Sequence, residues 1–259
     1  MKVLPLNPQR EPEFWEYAYQ DIPDYYFFIL DMTHDRASTK ILLAFNEQDR
    51  IKGMMMTYQE RIVQLRGNFK AAKALLAQLD IENVEIQGLK EHEPLILEKF
   101  KKVKKALELM VLTLKKGEET PHTTRPVERL HSSDAEEIAA LMNYADPEWW
   151  GEVTAKEIAD EMQDRLWLGI RVDGQLVSIG GATVHDWGSC ITTVATHEDH
   201  RNKGYATSVV STLVDRILQK SGLVLIYVES DNAPAVHTYT KVGFNPYRRY
   251  FVARTEKTS

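Results

Sequence analysis

The chain has 259 residues, 43% of them hydrophobic, and a formal net charge of −6. That length admits two modest domains or one large one, and the negative balance argues against a surface that coats nucleic acid while leaving room for a cationic amine substrate. No apolar run reaches the about 20 residues needed to cross a bilayer, residues 1–8 lack a signal peptide's apolar core, and the single cysteine, Cys190, cannot form an internal disulfide, so the chain reads as cytoplasmic and free of membranes.

The first half opens with an aromatic cluster: Trp15, Tyr17, Tyr19, Tyr25, Tyr26, Phe27 and Phe28. Residues 41–45, a turn at 46–49 and residues 51–56 read as a hairpin, and 62–65 as a further strand. Alanine and leucine at helical spacing predict a helix over 69–79. Residues 93–100 read as another helix start, and 106–114 as a strand. The stretch 115–126 is polar and holds Gly117, Pro121 and Pro126, which marks a domain boundary and divides the chain into 1–120 and 121–259.

The second half alternates more clearly. Residues 127–130 form a short strand. Ser133, Asp134 and Glu136 form a capping signature ahead of an apolar face at Ile138, Ala139, Leu141 and Met142. Thr154, with Glu157 three residues on, caps a helix running to about residue 165. Residues 166–172 and 175–184 flank Asp173-Gly174 as a hairpin. Asp186, Trp187 and Gly188 turn the chain into a β-branched strand at 191–196. Cys190, at the start of that strand, reads as a small buried residue.

A basic glycine loop follows, from His200 through Arg201, Asn202, Lys203, Gly204, Tyr205 and Ala206 to Thr207, and an amphipathic helix leads out over 208–219. A helix start presents unpaired N–H groups and the positive end of the dipole, a setting that favours phosphate. The loop alone is also compatible with an ordinary surface turn. A strand at 223–228 comes next, and then Asn232, Pro234, Ala235, Tyr239, Gly243 and Phe244. Arg201-x-x-Gly204-x-Ala206 and this later set, one helix and one strand apart, resemble the two motifs of the GCN5-related N-acetyltransferase superfamily. The resemblance covers about residue 125 to the C-terminus.

The resemblance implies an α/β (α+β) fold: a mixed, mostly antiparallel sheet flanked by helices. It implies acetyl-CoA as co-substrate and no metal. The strand would splay near Val194, Ala195 and Thr196, whose free backbone groups would pair with the pantetheine arm. Arg201 and the loop Asn202, Lys203, Gly204, Tyr205, Ala206 and Thr207 would hold the pyrophosphate, and Asn232 the cofactor arm. Tyr239 matches the position of a general acid for the departing thiolate, or of a tyrosine that packs on the cofactor. The general base stays open among Glu229, His197 and Glu198, each of which also suits a solvated surface. Trp149 and Trp150, in the expected loop 146–151, read either as a lid on the acceptor site or as a plug between domains. Residues 247–251 would form the last strand.

The first half echoes this order. Arg66-Gly67-Asn68 stands where the glycine loop would be, and Gly67 to Pro94 is about the interval from Gly204 to Pro234. The second small residue, the asparagine and the tyrosine are missing, so 1–120 reads as a degenerate repeat without CoA, or as an unrelated α/β cap. The two-domain arrangement is reminiscent of glycine N-acyltransferase-like proteins. The functional expectation is acetyl transfer to a primary amine, a small molecule or amino acid, by a monomer or homodimer. A protein or peptide acetyltransferase and a non-catalytic acetyl-CoA sensor are the alternatives.

Overall fold

The computed structural model describes residues 1–256, apart from the side chains of Glu148 and Trp149. Two compact units emerge. The first holds Met1–Val111, Glu229–Asp231 and the final strand from Tyr247 on; the second holds Leu112–Val228 and Asn232–Pro246. The polar stretch 115–126 therefore lies inside the second unit. There the Lys116 N–H donates to Gly222 O, and the Thr120 N–H to Val242 O.

The first unit contains β1 (Lys2–Pro5), α1 (Glu11–Tyr19), α2 (Ile22–His34), β2 (Thr39–Phe45), β3 (Ile51–Tyr58), β4 (Ile62–Gly67), α3 (Phe69–Leu76), β5 (Glu85–Leu89), α4 (Glu93–Lys99) and most of β6 (Val103–Lys115). The second continues with β7 (Glu128–Arg129), α5 (Ala135–Ala145), α6 (Pro147–Trp150), α7 (Ala155–Glu161), β8 (Arg165–Val172), β9 (Gln175–Thr183), β10 (Ser189–Thr196), α8 (Tyr205–Leu218), β11 (Leu223–Glu229), α9 (Ala233–Val242) and the start of β12 (Asn245–Thr255). Apart from the one-turn α6, both runs follow the same succession: strand, two helices, three strands, helix, strand, helix, strand. This is the repeated order expected of a tandem fold.

In the first unit the strand order includes β1-β2-β3-β4-β5-β12, with all these neighbours antiparallel except β4 and β5. The aromatic opening proves to be two helices, which bury Phe14, Tyr25, Tyr26 and Phe28. The closing strand β12 pairs with β5 from Tyr250↔Leu89 to Arg254↔Glu85, and Phe251 and Ala253 join this unit's core. The sequence places that strand in 121–259; most of it lies instead in the first unit, because β5 offers it a complementary edge.

In the second unit the order is β11-β10-β9-β8-β7. The Asp173-Gly174 turn has φ of 51° and 82°, the left-handed pair a tight hairpin requires. Helix α8 lies close on β9 because Gly180 has no side chain: a Cβ there would stand 2.7 Å from both Leu213 Cδ1 and Val209 Cγ1. Val209, Leu213, Val214 and Ile217 are buried along that face, each worth about 1.5–3 kcal/mol relative to exposure. Helix α7 is shorter than expected. Its capping box forms as read: Thr154 Oγ1 accepts from the Glu157 N–H, and Glu157 Oε2 from the Thr154 N–H. The signature at Ser133 works differently, with Asp134 accepting from the His131 N–H and no side chain capping α5. Residues 147–150 form a helical turn rather than a loop, and Trp150 packs against this unit's own core. The role assigned to Trp149 lies outside the described residues.

Candidate active site

The site begins with the way β10 leaves its neighbour. β10 and β11 run parallel in register only from Ser189↔Val224 to Ile191↔Ile226. A bulge against β9 falls between Ile191 and Thr193, after which Val194, Ala195 and Thr196 pair on that side alone, with Gly180, Ile179 and Ser178. Residues 192–196 thus have one edge in the sheet and the other open toward the end of β11. An open edge is a row of unpaired donors and acceptors that an extended ligand can match. Ala195 is buried; Val194 and Thr196 are half-buried, and Thr196 Oγ1 shares a hydrogen bond with Ser178 Oγ at 2.9 Å.

The loop beyond carries the chain to the start of α8. Asn202 and Gly204 adopt left-handed φ of 61° and 80°. This turn leaves the backbone N–H groups of residues 202–207 without a partner among the described residues; the first helical bond is Ser208 N–H to Gly204 O at 3.0 Å. Six N–H groups at the positive end of a 14-residue helix form a ready anion cradle. Of the loop's two expected cations, Arg201 points elsewhere: its guanidinium donates to Thr196 O and Ala145 O, both at 3.3 Å. It fixes the loop against the ends of β10 and α5. Lys203 Nζ donates to Asp199 O at 2.7 Å and stays exposed.

Two groups at this end of the unit carry no motif. Tyr144, on α5, stacks on His197 with ring centroids 4.4 Å apart, and its hydroxyl donates to Glu198. That bond holds the phenol proton more tightly than usual. Residues 122–124 lie along α8, where Ser211 Oγ accepts from the His122 N–H and Ser208 Oγ from the Thr124 N–H. Neither group was marked by sequence: a lone tyrosine or threonine at ordinary spacing carries no signal until the fold places it.

Asn232 caps α9, its side-chain oxygen accepting from the Ala235 N–H at 3.1 Å. Tyr239 lies on α9, which packs on α8, and is 6% exposed. Burial raises its phenol pKa, so the group stays protonated far into the alkaline range. Cys190 is buried with its thiol pushed up to about 12, consistent with a packing residue. Among the described residues no three His, Cys, Asp or Glu side chains are grouped to hold a metal ion.

In the counterpart of the first unit, side chains take up several of the backbone groups, beside an open cavity of about 370 Å³ that Gly67, Asn68 and Leu89 help to line. β4 and β5 stay in register from Ile62↔Glu85 to Leu65↔Gly88, so only two residues of β4 remain beyond. There the buried Arg66 guanidinium donates to Leu65 O and Gln87 O, both at 3.1 Å, and its Nε sits 3.0 Å from Asp24 Oδ1. Buried His92 bridges the remaining gap: its Nδ1 accepts from the Leu89 N–H, and its Nε2–H therefore donates to Gly67 O at 2.9 Å. Three backbone acceptors here, Leu65 O, Gln87 O and Gly67 O, thus already have side-chain donors.

Residues 167–252 match the family model described as FR47-like protein. A search of curated proteins returns no match. Among solved structures, the chain is similar to a Drosophila protein, at 10% identity and TM-score 0.74, over 99% of each chain. It is similar to a GCN5-related N-acetyltransferase from Sphaerobacter thermophilus, at 12% identity and TM-score 0.68, over 99% of this chain and 97% of that one. It also matches a tandem GNAT protein from the clavulanic acid biosynthesis pathway, at 12% identity and TM-score 0.58, over 100% and 99% of the two chains. At these identities the likeness is one of fold, and it extends over both units.

Proposed function

From a chain with the tandem GCN5-related N-acetyltransferase fold and an FR47-like segment over 167–252, we propose that the second unit is an acetyl-CoA-dependent N-acetyltransferase acting on a primary amine, a small molecule or an amino acid. The carrying observation is the open edge of β10 after Ile191↔Ile226, leading directly into the unpaired N–H groups of 202–207. An extended pantetheine arm with a pyrophosphate at its end has that outline: strand-like, then doubly anionic. Acetyl-CoA would supply the activated thioester.

In this reading the backbone of Val194 and Ala195 and the N–H of Thr196, whose carbonyl accepts from Arg201, pair with the arm, and an N–H there faces the thioester oxygen as charge builds on it. Asn202, Lys203, Gly204, Tyr205, Ala206 and Thr207 hold the pyrophosphate. Arg201 positions the loop through its two carbonyl contacts, and Asn232 orders the start of α9. Tyr239 gives its proton to the departing thiolate; a buried phenol that stays neutral is fit to donate rather than to act as a base.

Release of free thiol from acetyl-CoA, followed across amino acids, polyamines and peptides, tests the proposal. Turnover with a small amine is the expected result. Turnover with peptides alone would assign a protein acetyltransferase, and tight CoA binding without turnover on any acceptor would assign a sensor.

A further inference from the structure

The segment ahead of β7 is held against the first two turns of α8 by side chains on one helix face. Besides the His122 and Thr124 amide bonds, Thr123 Oγ1 meets Thr212 Oγ1 at 3.2 Å, and Thr124 Oγ1 meets Ser208 Oγ at 3.4 Å. Ser208 closes the arrangement by donating its hydroxyl proton to Gly204 O at 3.0 Å, the carbonyl at the head of the helix. The next residue is Arg125. Its guanidinium carbon lies 5.6 Å from the centre of the Tyr205 ring, over the first residue of α8. Arg125 is exposed, and no ion pair with a carboxylate is formed by it among the described residues. A guanidinium thus follows a segment tied to α8 and lies over the ring of the helix's first residue, the helix whose start carries the unpaired N–H groups, with Arg201 turned away to carbonyl oxygens.

We propose that Arg125 binds a phosphate of the CoA nucleotide, in place of the motif arginine Arg201. The inference rests on the cofactor reading above. The physical case is that an arginine fork pairs with phosphate oxygens through two donors, and that a weakly hydrated guanidinium on an aromatic face keeps its edge free to do so. The four contacts of residues 122–124 fix the chain just ahead of Arg125 along α8, so the backbone that carries the fork needs no ordering on binding. Two phosphate groups present this chemistry, the pyrophosphate and the ribose 3′-phosphate.

Isothermal titration of the full chain with CoA and with 3′-dephospho-CoA tests this. Arg125→Ala should weaken CoA binding about tenfold, the loss of one charge-assisted contact, and Arg125→Lys should recover part of it. With acetyl-CoA, KM should rise while kcat with a given acceptor holds. A loss seen with both nucleotides would place Arg125 on the pyrophosphate; a loss with CoA only would place it on the 3′-phosphate. Unchanged affinity in Arg125→Ala, in a chain whose wild type binds CoA, would overturn the inference and leave the acetyltransferase reading standing. A wild type that binds neither nucleotide would overturn both.

Discussion

Gly204 holds φ of 80°, and an added Cβ would meet nothing nearer than Thr124 Oγ1 at 3.8 Å. Space is therefore not what a substitution would lack. Gly204→Ala should cost about 1–2 kcal/mol of strain from the left-handed backbone, whereas Gly204→Glu also sets a carboxylate beside the unpaired N–H groups where pyrophosphate would sit. The expectation is loss of acetyl-CoA affinity in Gly204→Glu by calorimetry, with Gly204→Ala losing far less. Equal effects would make strain the whole cause. Tyr239 is testable in the same way. Tyr239→Phe keeps the buried ring and removes the proton, so kcat should fall roughly 10- to 1000-fold with little change in affinity. Because burial raises this phenol's pKa, Tyr239 itself should add no fall in kcat up to about pH 10. A drop in affinity alone would show a packing tyrosine. Gly204 and Tyr239 could be found in sequence because turn chemistry and motif spacing are local. Arg66 and His92 could not be assigned their roles, since arginine and histidine are seldom wholly buried and only the fold reveals what each bridges.

Helix α2 carries a group whose cost depends on pH. Asp31 lies half-buried on it, and burial, together with the nearby Asp35 carboxylate, raises its carboxyl from the ordinary 3.8 to about 7. A folded-state value above the unfolded one means the native chain keeps a proton that the unfolded chain releases. The associated stability is complete below about pH 4 and declines as pH rises through 7. Asp31→Asn should therefore stabilise the fold at pH 8 by on the order of a few kcal/mol, read as a higher Tm, and leave Tm nearly unchanged at pH 4. A gain of equal size at both values would point to packing instead. Element identity was largely legible: the hairpin at Asp173-Gly174, the Thr154 capping box and the α8 stripe each rest on residues adjacent in the chain. The aromatic opening does not show its two helices in sequence, because its rings follow neither period cleanly. The turn of helix at Pro147–Trp150 is too short to show one.

At the scale of the molecule, the sequence describes strands but not their neighbours. Residues 247–251 read as a strand under either arrangement, and nothing in their alternation says that they pair with β5. The division that the polar stretch suggests, 1–120 and 121–259, would therefore cut through both units. A fragment beginning at residue 121 lacks residues 112–120, which belong to the second unit, and carries a closing strand whose partner β5 is gone. Phe251, Val252 and Ala253, 4%, 5% and 0% exposed in the whole chain, would lose the first unit's core. Exposed apolar strand edges pair with other chains. The fragment 121–259 should accordingly aggregate or stay unfolded by size-exclusion chromatography and circular dichroism. Fragment 112–246, which keeps residues 112–120 and stops before Tyr247, should be the more soluble of the two. If it also binds CoA, the open edge of β10 and the loop at Gly204 suffice for the nucleotide. A soluble, folded 121–259 with full CoA affinity would show that β12 can dispense with β5, and that the pairing contributes little to the second unit's stability.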